Sequence, residues 1–119
     1  MSYDLDALDV CIFDEARSVM KARFPEVVEG YLEDAEVYIG KIKDGFARND
    51  KAAVAQYAHP LKSSSAGLGV MSVSEIAKDL EYGAKIAIDE GSDITHLKAL
   101  LVPIDDAFKR AELHLKKVL

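Results

Sequence analysis

Between Val28 and Phe46 the residues Val28, Tyr31, Leu32, Ala35, Ile39, Ile42 and Phe46 recur at three- and four-residue spacings, with most of the charged residues falling between them. At about 100° per residue this spacing gathers them into one stripe of an α-helix. A strand, whose side chains alternate with period two, would scatter the same set over both of its faces.

The same period governs the rest of the chain. Leu5, Leu8, Ile12, Ala16 and Val19 predict a first helix from about Asp4 to Arg23. Pro25 opens the long second helix, where its missing N–H costs nothing and Glu26 and Glu29 suit the positive end of the helix dipole; that helix runs to about Arg48. Asn49 is placed to take the left-handed position and Asp50 to cap a third helix from Lys51 to Leu68, which Gly69 ends. Ser72 and Glu75 have the spacing of a capping box before a helix with Val73, Ile76, Ala77, Leu80, Ala84, Ala87 and Ile88 inward, closed by Gly91. Ser92 or Asp93 caps the last helix, whose stripe is Ile94, Leu97, Leu101, Ile104, Phe108, Ala111 and Leu115, with Lys116 and Lys117 at its negative end. Long amphipathic helices with short connections predict an all-α fold. The expected architecture is an antiparallel four-helix bundle with a short additional N-terminal helix, one domain over residues 1–119.

Charge and composition exclude several functions. Fifteen Lys and Arg against 21 Asp and Glu leave a net charge of −6, which repels nucleic-acid phosphates and anionic lipid surfaces. The longest apolar stretch, Ala99 to Ile104, is far short of the roughly 20 residues of a membrane span. Met1-Ser2-Tyr3-Asp4 has no secretory pattern, so a cytoplasmic protein is expected. Cys11 has no partner for an internal disulfide and is expected to be a buried thiol on an apolar helix face. A protein partner is therefore expected, with no nucleic acid, no membrane and a monomeric chain.

The chemistry concentrates in His59-Pro60-Leu61-Lys62-Ser63-Ser64-Ser65-Ala66-Gly67-Leu68-Gly69. On the third helix Val54, Tyr57, Ala58, Leu61, Ser65 and Leu68 cluster within roughly 50° of one direction, and His59 points about 150° away from it, into water. Gln56, Lys62 and Ser63 share its outer half. Ala55, Ala66 and Gly67 keep the surface around the ring low, as the close approach of a partner requires. A neutral imidazole is a nucleophile without help from a base. A phosphoryl group on it would gain a charge-assisted contact from an ammonium one turn away, which is where Lys62 stands, with Gln56 one turn before as a second hydrogen-bond donor.

This segment resembles the signature H-x-L-K-G-S-S-x-x-L-G of histidine-containing phosphotransfer (HPt) domains. Every specified position matches except one, where Ser63 stands in place of glycine. Phe24-Pro25 before the long helix, an aspartate near the start of the helix bearing His59, and Leu80-Glu81 with Lys85 in the next helix are also similar to that family. The resemblance implies a four-helix bundle that accepts and donates phosphate as a stoichiometric carrier rather than an enzyme. It makes His59 the phosphoacceptor, Lys62 and Gln56 its phosphoryl-stabilising neighbours, and Ala55, Ser63, Ala66 and Gly67 the docking surface. The implied partners are response-regulator receiver domains and a hybrid sensor histidine kinase, the receiver supplying magnesium and this chain binding no cofactor. Pro60 departs from an ordinary helix interior: it has no N–H for the Gln56 carbonyl and disfavours helical geometry at His59, so a local kink is expected.

Two other readings remain from the sequence: an HPt-like module that binds a receiver or kinase without transfer, and a helical adaptor outside any relay. Metal chemistry is not expected, because a di-iron bundle needs paired Glu-x-x-His motifs and only Asp93-x-x-His96 comes near one. His96 and His114 read as surface residues. Ser64 and Ser65 are expected to face partly inward and bond back to the preceding turn. Tyr31, Tyr38, Tyr57 and Tyr82 are expected to pack between helices with hydroxyls at the rim.

Overall fold

The computed structural model describes residues 3–119; Met1 and Ser2, part of the N-terminal stretch read above, lie outside the described residues. Five α-helices follow one another: α1 (Val10–Met20), α2 (Phe24–Ala47), α3 (Lys51–Gly67), α4 (Met71–Glu90) and α5 (Leu101–Leu115). The four longer ones, α2 to α5, form an antiparallel bundle about a continuous apolar core, and α1 packs across α2 and α3. The molecule is elongated, 47 × 24 × 20 Å.

The sharp turns come from the punctuation residues. Asn49 takes φ 54° and Asp50 caps α3, its carboxylate accepting the Ala53 N–H at 3.0 Å. Gly91 ends α4 in the left-handed conformation. Lys51 then reaches across to the carbonyls of Ala87 and Ser92, donating to the end of α4 and the loop beyond it.

The N-terminus departs from the expected helix. Asp9 caps α1 by accepting the Ile12 N–H at 3.1 Å, so the helix begins at Val10 rather than Asp4. Residues 3–9 lie as a strap over the end of the α3–α4 hairpin: the Asp9 N–H donates to the Gly69 carbonyl at 2.7 Å, and the Ala7 carbonyl accepts the Ser72 N–H at 3.1 Å. Arg110 holds the strap to α5 through both oxygens of Asp6. Leu5 and Leu8 therefore pack on the core without being helical. On α1 the inward residues are Phe13, Ala16 and Met20, which leaves Val19 and Cys11 exposed rather than buried.

α4 likewise opens without the expected capping box. Its N-cap is Val70, Ser72 is buried under the strap, and the Ser74 hydroxyl donates to the Lys62 carbonyl at 3.0 Å. Ile88, about 80° around the helix from Leu80, falls on the flank and is exposed, as is Tyr82.

The last helix is divided. The Asp93 carboxylate accepts the Thr95 N–H and opens a 3-10 turn over Thr95–Leu100, and α5 starts only at Leu101. Pro103 explains the break. In one continuous helix its ring would crowd the Ala99 carbonyl, whereas in the first turn of α5 its missing N–H has no bond to make. Ile94 and Leu97 remain buried, Leu97 lying so close to α4 that a β-carbon at Gly83 would sit 2.8 Å from it.

Candidate functional site

α3 runs unbroken from Lys51 to Gly67 with Pro60 inside it, and its apolar side faces the core through Val54, Ala58 and Leu61. His59 is on the opposite side, its side chain 60% exposed. Behind it the hydroxyls of Tyr31 and Ser65 meet at 2.7 Å and tie α2 to α3. Both are buried, so Tyr31 does not put its hydroxyl at the rim and Ser65 bonds across the helix interface rather than to its own turn. Burial pushes the Tyr31 hydroxyl up to about 12 despite the Ser65 hydrogen bond, which acts the other way. Ser64 does bond back, to the Leu61 carbonyl at 3.4 Å.

The centre of the site is Glu81 on α4, a residue the sequence reading had placed only within a family-like pattern. Its carboxylate is 5% exposed and gathers three side chains. Oε2 lies 2.7 Å from Nδ1 of His59 and accepts from Nζ of Lys85 at 2.9 Å, while Oε1 accepts from Nζ of Lys62 at 2.7 Å. Burial pushes the carboxyl up, but the hydrogen bonds from Lys62, Lys85 and His59, with the charge of Lys62, outweigh it and hold Glu81 at about 2. Glu81 is thus a carboxylate at all physiological pH values. Facing an acceptor-only group, the ring in its neutral form carries its proton on Nδ1 and keeps the Nε2 lone pair free.

The remaining expected residues divide. Ser63 and Gly67 are exposed and Ala66 is half-buried, so the surface beyond His59 is low. Ala55 is buried at 8%, turned further under the helix than a docking residue would be, although it lines a shallow concavity with Ala52, Gln56, His59, Glu81 and Lys85. Gln56 lies exposed on that rim, and no hydrogen bond joins it to the ring. Among the described residues no group of three His, Cys, Asp or Glu side chains is arranged to hold a metal ion. Among the described residues no helix is long and apolar enough to cross a membrane.

An exposed histidine on a helical bundle is the arrangement the signature motif implied, and the Hpt domain family matches residues 26–107. The chain belongs to the Hpt domain family. Its function is accordingly histidine phosphotransfer in phosphorelay signalling, and Hpt domains interact with receiver domains and hybrid kinases. Two similar solved structures bear the fold out. Histidine-containing phosphotransfer protein B (HptB) from Pseudomonas aeruginosa is 20% identical, with a TM-score of 0.85 over 93% of this chain and 92% of that one. The HPT domain of the Hpt sensor hybrid histidine kinase from Shewanella is 21% identical, with a TM-score of 0.74 over 98% and 96%. No curated protein matches the sequence.

Proposed function

We propose that this Hpt domain carries its phosphoryl group on Nε2 of His59, as a monomeric cytoplasmic carrier that takes it from one receiver-domain aspartate and gives it to another. What supports this reading is one pairing: an exposed ring whose Nδ1 is engaged by a buried, ionised Glu81. The Nε2 lone pair forms the N–P bond while the bond from phosphorus to the aspartyl oxygen breaks, and the aspartate leaves as a carboxylate. No proton has to move. The ring becomes a cation with hydrogen on Nδ1 and phosphoryl on Nε2, and Glu81 lies at hydrogen-bond distance from that charge. Transfer onward reverses the same steps, so the chain ends unchanged and acts as a stoichiometric carrier. Lys62, one turn from His59, is the adjacent cation for the phosphoryl oxygens, and the low surface of Ser63, Ala66 and Gly67 admits the receiver. Magnesium belongs to the receiver in this reading.

The test is incubation with a phosphorylated receiver domain, followed by mapping of the acid-labile label. Label on His59 is the expected result. Receiver binding without label would instead favour a docking module that does not transfer, and absence of both would leave a helical adaptor.

A further inference from the structure

Glu81 holds more positive charge than one carboxylate needs. Lys62 and Lys85 both donate to it while His59 is bare, so with the imidazole in the neutral form that attacks phosphorus, the cluster of one carboxylate, two ammonium groups and the ring carries a net charge of +1. The two lysines differ in freedom. Lys62 is 32% exposed and bonds Oε1 alone, whereas Lys85 is 59% exposed, lines the same concavity as His59 and shares Oε2 with the His59 ring. Three hydrogen bonds to one buried carboxylate also satisfy it beyond a single pairing, so one can be given up once another strengthens.

We propose that Lys85 is a stored phosphoryl-binding cation: Glu81 holds it while His59 is unmodified and releases it to the phosphoryl oxygens once Nε2 is phosphorylated. The proposal rests on His59 being the phosphoacceptor. Phosphorylation adds a group of about −2 and makes the ring +1, bringing the cluster from +1 to near zero. In the same step the Nδ1–H becomes a cationic donor to Oε2, a stronger partner than the neutral ring and a replacement for the ammonium beside it. The dianion on the neighbouring ring then attracts the more exposed of the two lysines. Glu81 thus trades one positive partner for another and stays compensated in both states, and the charge that steadies the phosphoryl group is already in the site before it arrives.

A lysine in contact with the phosphoryl oxygens shifts electron density at phosphorus, which 31P NMR reads as a chemical shift at fixed pH. The full chain is phosphorylated with phosphoramidate and observed at about pH 8, where the phosphoryl group is fully dianionic. Lys85→Met is expected to move the phosphohistidine resonance, Lys85→Arg to bring it back towards the native position, and the distant Lys116→Met to leave it in place, since exposed charges beyond about 10 Å are screened. Equal 31P shifts for Lys85→Met and Lys116→Met would overturn the release of Lys85. A phosphohistidine signal that survives in His59→Gln would instead overturn the assignment of His59, a failure visible before any shifts are compared.

Discussion

His59 and Glu81 are 22 residues apart in the chain and 2.7 Å apart in space, and their exposures are opposite: the ring is 60% exposed and the carboxylate 5%. The reacting group faces the partner while the group that orients it is sealed beneath. This division lets the ring be open to a docking protein without being free to rotate, and it puts the compensating charge where water does not weaken it.

His59→Gln is expected to abolish labelling by a phosphorylated receiver and to leave helix content and melting temperature nearly unchanged. The side chain fills no core space, so its loss leaves no cavity. Circular dichroism and label transfer on the same sample check both halves.

Glu81→Gln separates charge from geometry. The amide oxygen still accepts from Nδ1, so labelling persists, but the cationic ring loses its counter-charge and transfer slows on the order of fivefold to tenfold. Stability carries a second signature. Glu81 titrates at about 2 in the folded chain against an ordinary 4.5. A folded pKa below the unfolded one stabilises above pH 4.5, and that contribution, at most about 3 kcal/mol, is lost as pH falls from 4.5 towards 2. The stability gap between the native chain and Glu81→Gln, followed by urea denaturation across that range, is expected to narrow.

Pro60→Ala restores an N–H to the Gln56 carbonyl in a helix that is already continuous. A stability gain of about 1–3 kcal/mol is expected, towards the lower end where water already serves that carbonyl. Loss of stability in chemical denaturation would mean that the helix depends on the proline. The transfer rate reads a separate property: a slower rate would show that the proline helps display His59.

Two glycines at the end of α3, Gly67 and Gly69, separated only by Leu68, are expected to respond in opposite directions. At Gly69 φ is 76° and a β-carbon would sit 2.4 Å from the Asp9 carbonyl oxygen, so Gly69→Ala is expected to cost about 2 kcal/mol or more and to detach the strap. At Gly67 a β-carbon meets nothing within 4 Å, and Gly67→Ala is expected to gain a few tenths to about 1 kcal/mol from helix propensity. Thermal melts of the two variants check the contrast.

The helices, their tight turns and His59 were legible because each is encoded locally, in a three- and four-residue period or in a residue such as Asn49 or Asp50 whose conformation is its own. What escaped was set by partners remote in sequence. Leu5 and Leu8 keep a helical spacing in a strap, because the Ala7 carbonyl and the Asp9 N–H are bonded to Ser72 and Gly69 and the single turn that the Ala7 N–H closes on Asp4 is not continued. Pro103 carried the signal for the divided last helix, and the apolar stripe running past it obscured that signal. Glu81 left a trace too: an acid between Ala77, Leu80 and Ala84 is out of place on a buried face unless cations meet it there. Which cations do so depends on the rotation of α4 against α3, and periodicity within one helix does not contain that angle.

The Leu68–Val70 turn joins the two helices that supply His59, Lys62, Glu81 and Lys85. The reactive constellation is therefore assembled by a single helical hairpin whose interacting residues are close in sequence, so closing it requires little loop entropy. Fraying of the strap, or opening of α5 at Pro103, can expose part of the core without dispersing these four side chains. Local unfolding of the strap or of α5 and competence at the histidine are in this way decoupled, and a receiver pressing on the hairpin meets side chains whose contacts with one another are all made within α3 and α4.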